Sequence, residues 1–180
     1  MITLDGKVCL ITGSGRGIGA KTAVMMSKAG VKVTVSDVCE ESAMIVCDQI
    51  NNGGGDAIYL YLEVSDPEAW QAACKKIIYK FKKLDVLVNN AGVIIAKDIE
   101  DVSLQEWHHM VSVNMTSVFL GTKICAPFLR RAGTQSKAGS AIVNISSVSS
   151  LVAAPLDPLY SMTKGGVTLF TKSTAITFAK

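Results

Sequence analysis

A tyrosine and a lysine four residues apart, Tyr160 and Lys164, are the pair in this sequence best suited to proton transfer. On a helix this spacing places both side chains on one face, about one turn apart. An ammonium group beside a phenol favours the phenolate, so the tyrosine could exchange a proton near neutral pH as a general acid or base. The edge of an amphipathic helix can carry the same pair without any chemistry. The pair therefore gains weight only from the rest of the chain.

A glycine-rich segment containing Gly13, Gly17 and Gly19 is the second candidate site. It follows an apolar run at residues 7–12 and precedes a helical pattern at residues 20–28. Glycine lets the backbone turn tightly and lets a pyrophosphate approach without an intervening Cβ, and the helix N-terminus offers free amides. Strand, glycine turn and helix in this order predict a dinucleotide site, although glycine clusters also form simple turns.

Asp37 closes the second predicted strand and is the candidate for binding the adenosine ribose. An acid at this place can accept hydrogen bonds from both ribose hydroxyls and would repel a 2′-phosphate, so NAD is predicted in preference to NADP. Val38 agrees, because an arginine there could have bound that phosphate. Arg16, inside the glycine turn, favours NADP slightly. The alternative role for Asp37 is to cap the next helix.

Predicted strands and helices alternate along the whole chain. The strands fall at residues 7–12, 31–36, 57–62, 86–88 and 141–145, and the helices at 20–28, 40–50, 67–81, 104–131 and from 160 onward. Several strands are continuous apolar runs, as expected when both faces are covered. This pattern predicts an α/β fold of the Rossmann type, a doubly wound parallel sheet with helices on both faces. With no linker or repeat, residues 1–180 are predicted to form a single domain.

Composition excludes several other classes of protein. The net charge is only +3 and the basic residues are scattered, so no nucleic-acid partner is expected. No apolar run is long enough to span a bilayer, and the N-terminus lacks a secretory pattern, so no membrane association is expected. The five cysteines form no C-x-x-C pair and the two histidines are adjacent, so no metal site is expected. The cysteines are predicted to be reduced thiols in the cytoplasm.

Five segments together resemble the short-chain dehydrogenase/reductase family. They are TGSGRGIG at residues 12–19, NNAG at 89–92, Asn114 in the long helix, the VNISS run ending at Ser147, and YSMTK at 160–164. Their order and separations are similar to those of the family, and the resemblance covers essentially the whole chain. It implies an NAD(P)-dependent oxidoreductase that interconverts a secondary alcohol and a ketone.

The resemblance also implies catalytic roles. Tyr160 is the general acid/base, and Lys164 favours its ionised form and holds the nicotinamide ribose. Ser147 hydrogen-bonds the substrate oxygen, with Ser146 as the less suitable alternative. Asn114 anchors a water that leads to the lysine; alternatively, its side chain bonds to nearby backbone.

The cofactor contacts implied by the resemblance come from five parts of the chain. They are Gly13, Arg16, Gly17, Ile18 and Gly19 in the glycine turn, Asp37 and Val38 at the ribose, Glu63 and Val64 near the adenine, Asn90, Ala91 and Gly92 near the central ribose, and Tyr160 and Lys164 at the nicotinamide. The family usually has aspartate where this chain has Glu63.

The resemblance stops at the C-terminus. Family members continue with a sixth strand, a substrate-binding flap and a seventh strand, so the chain is expected to be incomplete there relative to the family. The alternative to an enzyme is thus a non-catalytic nucleotide-binding or partner-binding module. The long helix and the Tyr160 helix form the usual dimer surface, which predicts a homodimer. The apolar residues 151–159 suit a small hydrophobic secondary alcohol or ketone.

Overall fold

The computed structural model describes residues 4–152, 155 and 157–179. Its strands are β1 (Val8–Thr12), β2 (Lys32–Asp37), β3 (Ala57–Tyr61), β4 (Val86–Asn89) and β5 (Ala141–Asn144). They form one parallel sheet in the order β3-β2-β1-β4-β5. The strand order reverses between β1 and β4, which is where sheets of this kind bind ligands. The predicted Rossmann-type fold is confirmed.

Six α-helices connect and cover the described strands. They are α1 (Gly17–Lys28), α2 (Glu40–Asn52), α3 (Pro67–Phe81), α4 (Leu104–Val111), α5 (Ser117–Thr134) and α6 (Pro158–Phe178). Short 3₁₀ turns lie at Ile99–Asp101 and Val148–Ser150. None of the helices in the described ranges is both long and apolar enough to cross a membrane.

The strands β1, β2 and β4 are largely buried on both faces, which explains their apolar sequences. One cluster joins Leu10 and Leu87 to α3 and α5 through Trp70 and Leu129. The other packs Ile11, Val33 and Val88 against residues of α1 and α2. Every residue of β1 is buried, so its side chains have no solvent-exposed face on which to alternate.

The predicted long helix runs without a break in its helical backbone through α4, a π-helical turn and α5. It begins with a capping box, in which the hydroxyl of Ser103 accepts from the backbone N–H of Glu106 (3.2 Å) and the Glu106 carboxylate accepts from the N–H of Ser103 (2.9 Å). A π-helical turn at Ser112–Thr116 then separates α4 from α5. Pro127 lies inside α5 and does not end it.

Candidate active site

The carboxyl ends of β1, β4 and β5 meet at one edge of the sheet and carry most of the predicted site residues. The glycine turn follows β1, residues 90–92 follow β4, and Ser146 and Ser147 follow β5. Helix α6 brings Tyr160 and Lys164 to the same edge through contacts with Ile145, Ser146 and the π-helical turn. The parallel topology therefore gathers segments that are up to about 150 residues apart in sequence.

Two glycines of the first turn have backbone angles that other residues rarely adopt. Gly13 has φ +59° and Gly17 has φ +57°. A Cβ on Gly13 would lie 2.8 Å from the Cα of Ala91, whereas a Cβ on Gly17 would meet no atom within 4 Å. Gly13 thus lets two backbone segments pack together. Gly17 opens α1 beside free space, and its neighbours Arg16 and Ile18 are exposed, so a phosphate can reach the amides there.

Thr12 and Asn90 join the glycine turn to the end of β4. The hydroxyl oxygen of Thr12 accepts from the backbone N–H groups of Asn90 and Ala91, both at 3.0 Å. The amide nitrogen of Asn90 donates to the carbonyls of Thr12 (2.8 Å) and Gly13 (2.9 Å). Both amide hydrogens of Asn90 are therefore used by the protein itself. The role of Thr12 was not predicted from the sequence. The feature that could have indicated it is a hydroxyl at the end of an apolar strand, directly before a glycine.

Asp37 lies between the glycine turn and α2. Its Oδ2 accepts from the N–H of Gly15 (2.9 Å) and its Oδ1 from the N–H of Cys39 (3.1 Å), while Cys39 occupies the N-cap position of α2. Each carboxylate oxygen keeps a lone pair for another donor. The following side chain, Val38, is 55% exposed. Backbone bonds thus hold the carboxylate at the place predicted for the ribose.

Glu63 and Val64 shape the turn after β3. The Oε1 of Glu63 accepts from the N–H (3.1 Å) and the hydroxyl (2.8 Å) of Ser65. Val64 is buried in the core, and its carbonyl accepts from the indole N–H of Trp70 (2.8 Å). Both residues have structural roles of their own here, and their contact with an adenine stays a prediction.

The predicted proton-transfer pair lies on the first turns of α6. The Nζ of Lys164 lies 5.5 Å from the centre of the Tyr160 ring, and it donates to the carbonyl of Ile145 at 2.7 Å. Lys164 is only 4% exposed, and this burial lowers its pKa because the charged ammonium loses solvation. Two N–H donors of the ammonium remain for other groups.

The side chain of Asn114 connects three segments around Lys164. Its Oδ1 accepts from the N–H of Val93 (2.8 Å), and its Nδ2 donates to the carbonyl of Val93 (2.9 Å) and to the hydroxyl of Thr163 (3.1 Å). This geometry matches the alternative role considered for Asn114, in which its side chain bonds to backbone groups close to it in space. Asn114 lies in the π-helical turn, where the N–H of Ser117 bonds to the carbonyl of Ser112 five residues earlier. The predicted water next to Asn114 stays a prediction.

Gly92 lies between Asn114 and Lys164. A Cβ at this position would lie 3.4 Å from the Oδ1 of Asn114 and 3.5 Å from the Nζ of Lys164. The backbone just after β4 therefore runs directly beside the ammonium group, and the contact of Gly92 with a cofactor stays a prediction.

The two serines after β5 differ in how their hydroxyls are used. Ser146 donates to the carbonyl of Lys164 (3.2 Å) and shares a hydrogen bond with the hydroxyl of Thr168 (2.7 Å). The Oγ of Ser147 accepts from the N–H of Ser149 (3.1 Å), and its own hydrogen has no acceptor within the described part of the chain. Ser147 is therefore the serine with a hydrogen to offer a substrate. No cluster of metal-ligating side chains occurs among the residues that the structure describes.

Known proteins resemble this chain over almost its whole length. The family described as short chain dehydrogenase matches residues 7–180. Cyclopentanol dehydrogenase from Comamonas testosteroni is 36% identical over 176 residues, which cover 98% of this chain and 68% of that protein. The 3-alpha-(or 20-beta)-hydroxysteroid dehydrogenase of Mycobacterium tuberculosis is 38% identical over 173 residues, which cover 96% of this chain and 64% of that protein.

Solved structures show the same fold. The 3-ketoacyl-(acyl-carrier-protein) reductase from Brucella melitensis, complexed with NADH, matches with a TM-score of 0.93 and 34% identity, over 98% of this chain and 71% of that one. The gluconate 5-dehydrogenase from Burkholderia cenocepacia, complexed with NADP and tartrate, matches with a TM-score of 0.91 and 31% identity. The match covers 99% of this chain and 68% of that one. The chain therefore belongs to the short-chain dehydrogenase family and is an oxidoreductase of the class that acts on CH–OH groups.

Proposed function

We propose that this protein transfers a hydride between NAD and a hydrophobic secondary alcohol or ketone, with Tyr160 as the general acid/base. The observation that carries this proposal is the position of the buried Lys164 ammonium. It is fixed by the carbonyl of Ile145 at the end of β5 and lies 5.5 Å from the ring of Tyr160. In the proposed mechanism this buried cation stabilises the negative charge that the Tyr160 oxygen carries while the proton is on the substrate.

In the proposed reaction, the cofactor transfers the hydride and the side chains of the protein transfer the proton and position the substrate. When bound, the nicotinamide supplies or accepts the hydride. In alcohol oxidation the phenolate of Tyr160 takes the hydroxyl proton of the substrate, and in ketone reduction the phenol returns it. Ser147 donates its free hydrogen to the substrate oxygen, where negative charge develops in the transition state. Lys164 uses its two remaining donors to hold the cofactor ribose and to stabilise the phenolate.

NAD is the proposed cofactor, in preference to NADP. The carboxylate of Asp37 is held at the end of β2 by two backbone N–H groups. A fixed negative charge there accepts hydrogen bonds from ribose hydroxyls and repels a 2′-phosphate. The next residue, Val38, offers that phosphate no positive charge. Structural relatives have been solved with either cofactor, so this choice rests on the residues of this chain.

An apolar surface around the site favours a hydrophobic substrate. Ile94 after β4, and Val148, Leu151 and Val152 after β5, expose 60–79% of their surface at the end of the sheet that carries Tyr160. Exposed apolar groups next to a site are typical of ligand contacts. Relatives named for cyclopentanol and hydroxysteroids act on alcohols of this character.

A homodimer through α5 and α6 also forms part of the proposal. Between these helices runs an apolar groove of about 310 Å³ that includes Phe119, Val167 and Phe170. Leu169 and Ile176, also on α6, are exposed. A second copy packed on this surface would remove these side chains from water. The five free thiols of the chain suit the reducing cytoplasm, which is the proposed compartment.

The proposed function is tested by NADH absorbance with a panel of cyclopentanol, cyclohexanol and a hydroxysteroid. Tyr160→Phe removes only the phenolic oxygen and should lower turnover by about 10²-fold or more, while NADH binding is retained. Tight NADH binding by the unmodified chain without turnover on any substrate would instead support the nucleotide-binding module. Absence of NADH binding would contradict both functions.

A further inference from the structure

A buried carboxylate, Asp157, lies three residues before Tyr160 and has no part in the chemistry described above. It is 8% exposed and occupies the N-cap position of α6. Aspartate at this position normally accepts a hydrogen bond from the first turn of its own helix. The side chain of Asp157 accepts none from α6. Its location is therefore not explained by capping.

Asp157 is instead connected to the serine that faces the substrate. Its Oδ2 accepts from the hydroxyl of Ser149 at 3.0 Å, and the backbone N–H of Ser149 donates to the Oγ of Ser147 at 3.1 Å. The 3₁₀ turn at Val148–Ser150 lies between these two hydrogen bonds. Two contacts thus lead from the start of α6 to the hydroxyl of Ser147.

The bond from Ser149 limits what the hydroxyl of Ser147 can do. A hydroxyl has one hydrogen and two lone pairs, and one lone pair of Ser147 is taken by the N–H of Ser149. The hydrogen must then point away from this donor and is left for a substrate oxygen. If the turn rotated, Ser147 would lose this constraint. Misplacement of a catalytic group by about 1 Å can cost roughly 10²-fold in rate.

Stability alone gives little reason for a carboxylate at this place. The Oδ1 of Asp157 is buried and has no hydrogen-bond donor among the described residues. Burying a polar atom without a partner costs free energy, so an apolar side chain would stabilise the fold more. Asp157 therefore costs stability and is bonded to the turn that follows Ser147. A role in the active site explains both observations.

We propose that Asp157 is a positioning residue for Ser147 and acts through Ser149. It holds the turn at Val148–Ser150 so that Ser147 presents its hydrogen to the oxygen of the substrate. This inference rests on the proposed hydride transfer, in which Ser147 contacts the substrate.

The test compares Asp157→Ala, Ser149→Ala, their combination and Asp157→Asn in the whole chain. The measurements are kcat and KM for cyclopentanol with NAD, the Kd of NADH, and Tm. The matched control is Asp66→Ala, since the carboxylate of Asp66 does cap its own helix, α3, by accepting from the N–H of Glu68 (2.9 Å). The control should lower Tm and leave kcat unchanged.

We expect Asp157→Ala and Ser149→Ala each to lower kcat by about 10-fold to 100-fold, with the Kd of NADH unchanged. Because both act on Ser147 through one connection, the double variant should be no slower than the slower single variant. Asp157→Asn keeps an oxygen that accepts from Ser149 and should retain most of the activity. Ser149→Ala tests the same connection if the Asp157→Ala chain does not fold.

Three results would overturn the inference: unchanged kcat in Asp157→Ala, multiplied losses in the double variant, or a loss of NADH affinity as large as the loss of kcat. Failure of the proposed function is seen separately, in the unmodified chain. If that chain binds NADH but oxidises no alcohol of the panel, the proposed hydride transfer and the role of Asp157 are both wrong. If it is active and Asp157→Ala matches it, only the role of Asp157 is wrong.

Discussion

Alanine at Gly13 and at Gly17 should separate the packing of the glycine turn from its contact with the cofactor. The two backbones have nearly the same φ, +59° and +57°. The left-handed conformation costs an L-residue about 1–2 kcal/mol, so both alanines carry this penalty. The surroundings differ, because the new Cβ lies 2.8 Å from the Cα of Ala91 at Gly13 and in open space at Gly17.

The magnitudes follow from this difference. Gly17→Ala should lower the free energy of unfolding by about 1–2 kcal/mol, the conformational penalty alone. Gly13→Ala also forces two backbone segments apart, and overpacking of this kind adds about 1–3 kcal/mol, for a sum of about 2–5 kcal/mol. Urea unfolding without cofactor, followed by tryptophan fluorescence, measures both values.

NADH affinity supplies the second readout. The open space at Gly17 is where we place the pyrophosphate, so Gly17→Ala should weaken NADH binding by at least about tenfold, or 1.4 kcal/mol. Gly6→Ala is the matched control. Gly6 has φ +71° and open surroundings, but it lies before β1, at the other end of the strand from the glycine turn. It should show the same loss of stability as Gly17→Ala with no loss of affinity.

Equal destabilisation by the alanines at Gly13 and Gly17 would refute the close packing against Ala91. An NADH affinity that is the same for Gly17→Ala and Gly6→Ala would refute the placement of the pyrophosphate, whatever the stability data show.

Three further predictions concern other parts of the site and the fold. Asp37→Ala combined with Val38→Arg removes the charge that repels a 2′-phosphate and adds an attractive one, so the ratio of NADPH to NADH affinity should rise by roughly 10-fold to 100-fold, from paired affinity titrations. Asn114→Ala leaves the N–H and carbonyl of Val93 without their partner and should lower the free energy of unfolding by about 2–4 kcal/mol in urea. Burial opposes ionisation of Asp85, but hydrogen bonds from the Val8 N–H, Lys83 and Lys7 hold its pKa below its usual value. Its contribution to stability is therefore complete at neutral pH and lost on acidification through the folded-state pKa, and Asp85→Asn should flatten the acid side of the stability profile.

Each of these has a clear contrary result. An unchanged cofactor ratio would mean that Asp37 does not face the ribose. An Asn114→Ala chain as stable as the unmodified protein would mean that the Val93 segment does not depend on this side chain. An acid limb that is equally steep with Asp85→Asn would assign the acid sensitivity to other carboxylates.

Local sequence patterns were sufficient to predict the strands and helices, because each of these elements depends on residues that are close together in the sequence. The alternation of strands and helices and the continuous apolar strands were predicted and are present, and the caps at Asp66 and Ser103 are equally local. Each depends on short-range periodicity or on a side chain that bonds within one turn. The same holds for the placement of Tyr160 and Lys164 on one face of α6, which follows from their spacing of four residues.

The tertiary structure decided how polar side chains are shared between segments that are distant in sequence. The π-helical turn around Asn114 accompanies its hydrogen bonds to Val93 and Thr163, which lie 21 and 49 residues away. Thr12 acquires its role only because β4 ends beside β1. A long-range hydrogen bond leaves no periodic signal in the sequence, since its partner is set by the order in which strands pair. The sequence thus predicted the strands, the helices and the candidate site residues, while folding determined which carbonyl, amide or hydroxyl holds each of those side chains.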